Sequence, residues 1–280
     1  MTTAEAALAV LRWYADAGVD EAIGADPTDF FAADPILSPK TPPPLSGQAV
    51  DAEEPNWTQR NSLPPPPIAP IAKTNAPSTD EAVAAATNLA ASCDTFEALC
   101  AAIEAFDGCA LKNGARNTVV FDGVIGADLL IMGEAPGRDE DRVGKPFVGR
   151  AGQLLDKMLG SIGRSRTENT LISNVIFWRP PGNRTPTATE VAACKPFVDR
   201  LIHLNQPKAI VLAGNAPLQA LLGRTGITRA RGNWSEIEGP GSEKIPVLPM
   251  FHPAFLLRRP EQKRLAWHDL QSVAARLTNS

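Results

Sequence analysis

Asp128-Leu129-Leu130-Ile131-Met132 is an apolar run that leads into the loop GEAPGRDEDRVGKPFVGRAG, residues 133–152, and then into the amphipathic run Gln153–Ile162. This order predicts a buried strand, a loop rich in glycine and charge, and a helix. In open α/β sheets, ligands bind beyond the carboxyl ends of such strands. We therefore expect the loop, with its single aromatic residue Phe147, to form part of a binding site.

The same succession of strand, loop and helix recurs along the carboxyl-terminal part of the chain. Apolar runs predict further strands at Leu171–Phe177, Ala209–Ala213 and Pro246–Met250. Helices are predicted from the capping box of Thr187 and Glu190 to about Leu204, from Gly214 through Leu222, and over about Pro260–Leu277. Alternating strands and helices indicate an α/β fold, a three-layer α/β/α domain with a central, mainly parallel four-stranded sheet.

The first part of the chain has a different composition. The sequence holds 26 prolines, and twelve of them lie between Pro35 and Pro77. This predicts a Pro-rich flexible linker over residues 35–79, preceded by an N-terminal helical segment over residues 1–34 in which Thr3–Ala17 has helical spacing. We therefore expect a disordered N-terminal extension ahead of a folded domain at residues 80–280. No signal peptide or membrane-spanning run is recognisable, so a cytoplasmic protein without membrane attachment is expected.

The net charge of −4 conceals an uneven distribution. Residues 1–108 carry 16 acidic and 4 basic side chains, a balance of −12, whereas residues 109–280 carry 15 acidic and 23 basic side chains, a balance of +8. A basic folded domain favours phosphate binding. The alternative is an ordinary solvated surface with a modest positive excess.

Side chains from three strand-end loops are predicted to meet at one edge of the sheet. These side chains are Phe147 in the loop after the first strand, Asn174 towards the end of the second strand, and His252 after the fourth strand. These three groups suit a planar heterocycle attached to a phosphate chain. The ring of Phe147 would stack on the heterocycle, the Asn174 amide would bind its edge, and His252 would donate a hydrogen bond to a leaving oxygen. Each residue also has a structural alternative, as a core ring, a strand-end hydrogen bond or a turn residue. Only the combination indicates a site.

At these residues the chain resembles the family 4 uracil-DNA glycosylases, a group usually built around an iron–sulfur cluster. The matching motifs are GEAPG at 133–137, GKPFVG at 144–149, RPPGNRTP at 179–186 and HPAFLLR at 252–258. The resemblance runs from about Cys109 to Val273, in order and at matching spacing. It implies a DNA repair enzyme that flips uracil out of DNA and hydrolyses its N-glycosidic bond, leaving an abasic site.

The resemblance also implies roles for individual residues. Phe147 is expected to stack on the uracil, Asn174 to bind its pyrimidine edge, and His252 to stabilise the negative charge on the departing base. Glu134 and Glu140 match loop positions near the sugar and the attacking water. The candidate catalytic residues are His252, Glu134, Glu140 and Asn174, and the candidate substrate-binding residues are Gly133, Phe147, Asn174 and His252.

DNA contacts are predicted on two of the motifs, at Arg184, Leu256, Leu257 and Arg258. A wedge of Phe255, Leu256 and Leu257 is expected to fill the gap left by the flipped nucleotide, while Arg258 holds a phosphate. Ordinary packing at the start of the last helix is the alternative for the leucines.

The chain departs from the family at the iron–sulfur site. Cys109 and Cys194 match two of the four cluster cysteines, but Phe106 and Trp178 occupy the other two positions. Neither aromatic side chain ligates iron, and a cubane cluster normally takes four thiolates. We therefore expect no cofactor, with Cys109 and Cys194 buried as small apolar residues and not joined in a disulfide. Replacement ligands at Cys93 or Cys100 would be the alternative.

Two other functions stay open at this point. One is a non-catalytic protein that binds uracil or single-stranded DNA on the same fold, although Glu134, Asn174 and His252 argue against it. The other is a Rossmann-type nucleotide-binding domain, which is disfavoured because no Gly-x-Gly-x-x-Gly follows the first strand. The expected partner is uracil-containing DNA, bound by a monomer. A further hypothesis gives the N-terminal helix or the acidic arm a protein partner, or lets the arm compete with DNA.

Overall fold

The computed structural model describes residues 78–278, so the predicted N-terminal helical segment and all but the last two residues of the predicted linker lie outside this range. The strands of the described part are β1 Phe121–Gly123, β2 Leu129–Gly133, β3 Thr170–Asn174, β4 Ala209–Ala213, β5 Ser235–Glu238 and β6 Lys244–Met250. Its helices are α1 Thr79–Ala91, α2 Phe96–Ala105, α3 Arg138–Val143, α4 Arg150–Gly160, α5 Ala188–Asn205, α6 Asn215–Leu222, α7 Ile227–Ala230, α8 Pro253–Arg258 and α9 Lys263–Thr278.

The strands form one sheet in the order β1-β3-β2-β4-β6-β5. Neighbours among β3, β2, β4 and β6 are parallel, whereas β1 and β5 pair antiparallel at the two edges. The four predicted strands are confirmed as the central four, but the prediction of four strands in all was wrong. β1 and β5 have three and four residues with partly exposed side chains, which is too short and too polar for a recognisable hydrophobic pattern.

Side chains of the central strands alternate between two cores. Leu130 and Met132 belong to the core under α1, α2 and α5, while Leu129 and Ile131 belong to the core under α4, α8 and α9. This alternation follows from the two-residue period of a strand, and both faces are apolar because both are covered. The predicted α/β/α layering is confirmed.

The predicted element boundaries hold to within a few residues. Thr187 caps α5 as expected, since its hydroxyl accepts from the Glu190 amide and the Glu190 carboxylate accepts from the Thr187 amide. β3 ends at Asn174, earlier than the predicted Phe177. In the part of the chain that the structure describes, no helix is long and apolar enough to cross a membrane.

Candidate functional site

A cavity of about 470 Å³ opens where β2, β3 and β6 end at the same edge of the sheet. The residues that line it include Glu134, Glu140, Phe147, Asn174, Arg184, His252 and Arg258. The parallel strands therefore bring together the side chains that were predicted from separate loops.

Gly133, the last residue of β2, allows two of these side chains to meet. A Cβ atom at this position would lie 2.3 Å from Oδ1 of Asn174 and 2.6 Å from the ring of Phe147. Asn174 is buried at the end of β3, where it pairs with Gly133 in the parallel register. Any larger residue at 133 would push the amide and the ring apart. Gly133 thus shapes the cavity by its lack of a side chain.

Phe147 stands in a backbone conformation that the surrounding residues impose. Its φ of 52° lies in the left-handed region, which is costly for a bulky residue. Close approach of α4 to the loop requires Gly152, because a Cβ there would lie 1.8 Å from the Phe147 carbonyl oxygen. The ring is buried and stacks on His252 with 5.5 Å between centroids and 26° between planes. The loop therefore presents a flat, rigid aromatic face at the cavity.

Arg166, which sequence reasoning missed, holds this loop from behind. Its guanidinium donates to the carbonyl oxygens of Pro146 (3.0 Å) and Phe147 (2.7 Å). The carboxylates of Asp122 and Asp156 accept its other hydrogen bonds and fix its orientation. Arg166 lies nineteen positions from Phe147, outside any periodic element, so nothing in a single sequence pairs the two.

Glu140 ties two loops together through its carboxylate. One oxygen accepts from the amides of Val148 and Gly149, at 2.9 Å each, and the other accepts from the amide of Gly137 at 3.1 Å. Three backbone donors on a carboxylate order the loop before and after α3. The geometry makes this side chain the connection between the GEAPG segment and the loop of Phe147.

Glu134 is half-buried and lines the cavity. The backbone on both sides of it is held by the segment that follows β3, because Gly133 and Glu134 accept hydrogen bonds from the amides of Val175 and Ile176. Burial raises the pKa of the Glu134 carboxyl above its ordinary value. The group is therefore a carboxylate of increased basicity that faces the site.

His252 caps α8 and lines the cavity. Its Nδ1 accepts from the Ala254 amide at 3.1 Å, so in the neutral ring the proton is on Nε2. Burial, with help from the positive charge of Arg258, lowers the pKa of His252 to about 4. Gly214 leaves room for it, since a Cβ at 214 would lie 3.3 Å from the His252 Cβ. At neutral pH this residue is an uncharged donor.

The family model of the uracil-DNA glycosylase superfamily matches residues 121–271, which include all of these loops. The chain belongs to this superfamily. A type-4 uracil-DNA glycosylase of Thermotoga maritima is 40% identical over 169 residues, 59% of this chain and 85% of the relative. A type-4 enzyme of Archaeoglobus fulgidus is 39% identical over 170 residues, 59% of this chain and 84% of the relative. The resemblance inferred from the four motifs is confirmed.

The predicted DNA contacts of this superfamily member differ in their exposure. Arg258 and Arg184 line the cavity mouth, but the guanidinium of Arg184 already makes a two-pronged ion pair with Glu190, at 2.6 and 2.9 Å. Leu257 is 37% exposed, whereas Leu256 is fully buried in the core beneath α8. The prediction that Leu256 inserts into DNA does not match this burial, because the inward face of α8 packs against the sheet. Leu257 is the leucine that projects outward.

The residues at the family's iron–sulfur position do not fit a cluster with four thiolates. Cys109 and Cys194 are free and buried, and the interaction between their thiols lowers the pKa of Cys109 and raises that of Cys194. Phe106 packs edge-on against Phe197, and Nε1 of buried Trp178 donates to Thr118. Both aromatic side chains are therefore buried in the same core as the two thiols.

The remaining cysteines do not complete a ligand set. Sγ of Cys93 donates to the Leu89 carbonyl within α1 and its loop, and burial raises the pKa of the Cys100 thiol to about 11. Among residues 78–278, no group of three or more His, Cys, Asp or Glu side chains could hold a metal ion.

Proposed function

We propose that this protein flips uracil out of DNA and hydrolyses its N-glycosidic bond, leaving an abasic site. The observation that carries the proposal is the convergence of Phe147, Asn174 and His252 on one cavity, where a flat aromatic ring, an amide and an imidazole suit a pyrimidine. Relatives named as type-4 uracil-DNA glycosylases support it.

Each of the three residues has a distinct part in holding the base. Phe147 stacks on the pyrimidine, and the Asn174 amide, with one donor and one acceptor, matches the N3–H and O4 of uracil. Nε2–H of neutral His252 donates to the uracil oxygen on which negative charge develops as the glycosidic bond breaks. Because the imidazole is already neutral and oriented by the Ala254 amide, little reorganisation accompanies the reaction.

Glu134 and Glu140 are assigned different parts. We give Glu134 the attacking water, since its carboxylate faces the cavity and burial increases its basicity. The carboxylate oxygens of Glu140 accept hydrogen bonds from three backbone amides, so we assign Glu140 the positioning of the loop of Phe147. Arg258 and Leu257 are assigned to phosphate and to the gap in the base stack.

Excision from a panel of oligonucleotides tests this function. Purified protein should release uracil and leave alkali-labile abasic sites in uracil-containing DNA, and should leave thymine- and cytosine-containing controls intact. Tight binding to uracil-containing DNA without release of the base would instead support a non-catalytic uracil-binding protein.

The first prediction concerns the cofactor. We propose that the protein carries no iron–sulfur cluster, because Phe106 and Trp178 stand where two of the thiolates would be needed. Protein purified without oxygen should be colourless, without the absorbance band at about 400 nm that an iron–sulfur cluster bound by thiolates produces. Stoichiometric iron in a metal assay would contradict this prediction and point to Cys93 or Cys100 as substitute ligands.

The second prediction concerns pH. A base must be ionised, so the rate of excision should fall as pH is lowered through the pKa of the Glu134 carboxyl, which burial raises above its ordinary value. The pKa of His252 is lowered to about 4, so its imidazole is neutral at neutral pH, and the Glu134→Gln variant separates any titration of His252 from that of Glu134. Glu134→Gln should reduce the single-turnover rate by about 100-fold and abolish the decline. An unchanged pH profile in this variant would remove Glu134 from the activation of water.

A further inference from the structure

Helix α8 separates the catalytic cavity from a second concavity. Ala254, Phe255 and Arg258 line the cavity, whereas Leu256 lines an apolar groove of about 190 Å³. Successive residues of an α-helix are turned by about 100°, so Leu256 projects from the face of α8 opposite to the cavity. The cavity and the groove therefore lie on opposite sides of α8.

We call this surface the Trp267 groove and define it by Leu154, Lys157, Leu256, Lys263 and Trp267. Its floor is formed by apolar side chains of α4, α8 and α9, and Trp267 is 40% exposed at its wall. An indole of this exposure beside an apolar floor presents a flat surface to a ligand.

The rim of the groove is positively charged. Lys157 on α4 and Lys263 on α9 are both exposed, and Arg264 follows directly. Among residues 78–278, the nearby carboxylates of Asp156 and Glu261 are paired with arginines, and neither lysine takes part in an ion pair. The rim therefore offers cations to a ligand that brings negative charge.

We propose that the Trp267 groove binds an unpaired base of the uracil-containing strand, with Trp267 stacked on the base and Lys157 and Lys263 on its phosphates. This inference rests on the proposed function. An exposed aromatic side chain within a basic groove is the arrangement by which proteins hold single strands. An apolar peptide would also fill the groove, but it would leave the lysines without a role.

The proposal has a consequence for the form of the substrate. A base that is paired in a duplex cannot lie on Trp267, because its face is already stacked and its edge is bonded to the other strand. The groove thus favours uracil in single-stranded DNA, or next to an opened stretch of duplex.

The test uses the full chain and a single-stranded oligonucleotide without uracil, which isolates binding from chemistry. Trp267→Ala should weaken binding by about fivefold to 100-fold, the loss expected for one stacked base, and Trp267→Phe should restore most of it. Binding to a fully paired duplex should change much less. The matched control for charge is Lys244→Ala, since Lys244 lies at the opposite, amino end of β6 and should leave binding unchanged.

Salt dependence tests the lysines. Each phosphate contact on a single strand contributes about 0.7 to the slope of log K against log salt concentration, so Lys157→Ala and Lys263→Ala should each lower the slope by about that amount. Tryptophan fluorescence tests the stacking. If the Trp267 indole stacks on a base, DNA should quench the tryptophan fluorescence of the wild-type protein, and most of this quenching should be lost in Trp267→Phe.

The outcomes separate the groove from the proposed function. If the wild-type protein excises uracil but Trp267→Ala binds single strands as tightly as wild type, the proposed base-binding role of the Trp267 groove is wrong. The proposed function is unaffected by that result. Wild-type protein that never excises uracil would overturn the function, whatever the affinity of the Trp267 variants.

Discussion

His252→Ala should slow the chemical step of uracil excision by about 100- to 1000-fold, the usual effect of removing one donor aimed at developing charge. The imidazole is neutral, its proton is on Nε2, and it faces the cavity because the Ala254 amide occupies Nδ1. Alanine keeps the start of α8 but leaves the departing base without that donor. Binding of uracil-containing DNA should fall much less, since phosphate contacts supply most of the affinity.

Single-turnover rates at saturating enzyme measure this effect without the contribution of binding. The matched control is His268→Ala, which removes an exposed histidine of α9 that does not line the cavity and should leave the rate unchanged. A His252→Ala rate close to that of wild type would remove His252 from the mechanism. It would also remove the main support for the role given to the cavity.

The central sheet could be predicted because its strands are buried on both faces. A run such as Ile210-Val211-Leu212 has no polar interruption, and only a covered parallel strand tolerates this. The edge strands escaped prediction for the converse reason. Glu236 and Glu238 in β5 alternate with partly buried residues over four positions, a signal too short to separate from a loop.

The sequence predicts those site residues whose side-chain type indicates their chemistry. It does not predict the residues that act through contacts with distant parts of the chain. Phe147, Asn174 and His252 lie at or beyond the carboxyl ends of parallel strands, so the topology brings them to one edge of the sheet. Arg166 acts on Phe147 through backbone carbonyls, which any sequence would provide, so its role appears only in three dimensions. Similarly, the motif holding Leu256 and Leu257 does not say which leucine faces the core; the helical rotation of α8 decides it.

The Glu134 and Glu140 carboxylates show the same limit. Both lie in the charged stretch of sequence between β2 and α4, and nothing in their spacing distinguishes them. The structure gives Glu140 three backbone donors and leaves Glu134 facing the cavity, so two identical functional groups acquire different surroundings. Environment, more than residue type, separates a positioning carboxylate from a candidate base.

Asn174→Asp should reduce uracil excision by about 1000-fold or more, because the site then lacks the donor that matches O4 and places an acceptor there instead. A carboxylate suits the exocyclic amine of cytosine better, so weak excision of cytosine is the expected gain. Single-turnover rates on uracil- and cytosine-containing strands, compared for the same preparation, measure the change in selectivity.

A buried carboxylate also carries a cost in stability that must be distinguished from the change in recognition. Asn205→Asp is the matched control: Asn205 is as buried as Asn174, but its amide bonds to Gly126 and Ala127 outside the cavity. It should lower the melting temperature without altering the preference for uracil over cytosine. If Asn174→Asp retains the wild-type ratio of uracil to cytosine excision, the Asn174 amide does not read the pyrimidine edge. Stacking on Phe147 and the fit of the cavity would then have to account for selectivity.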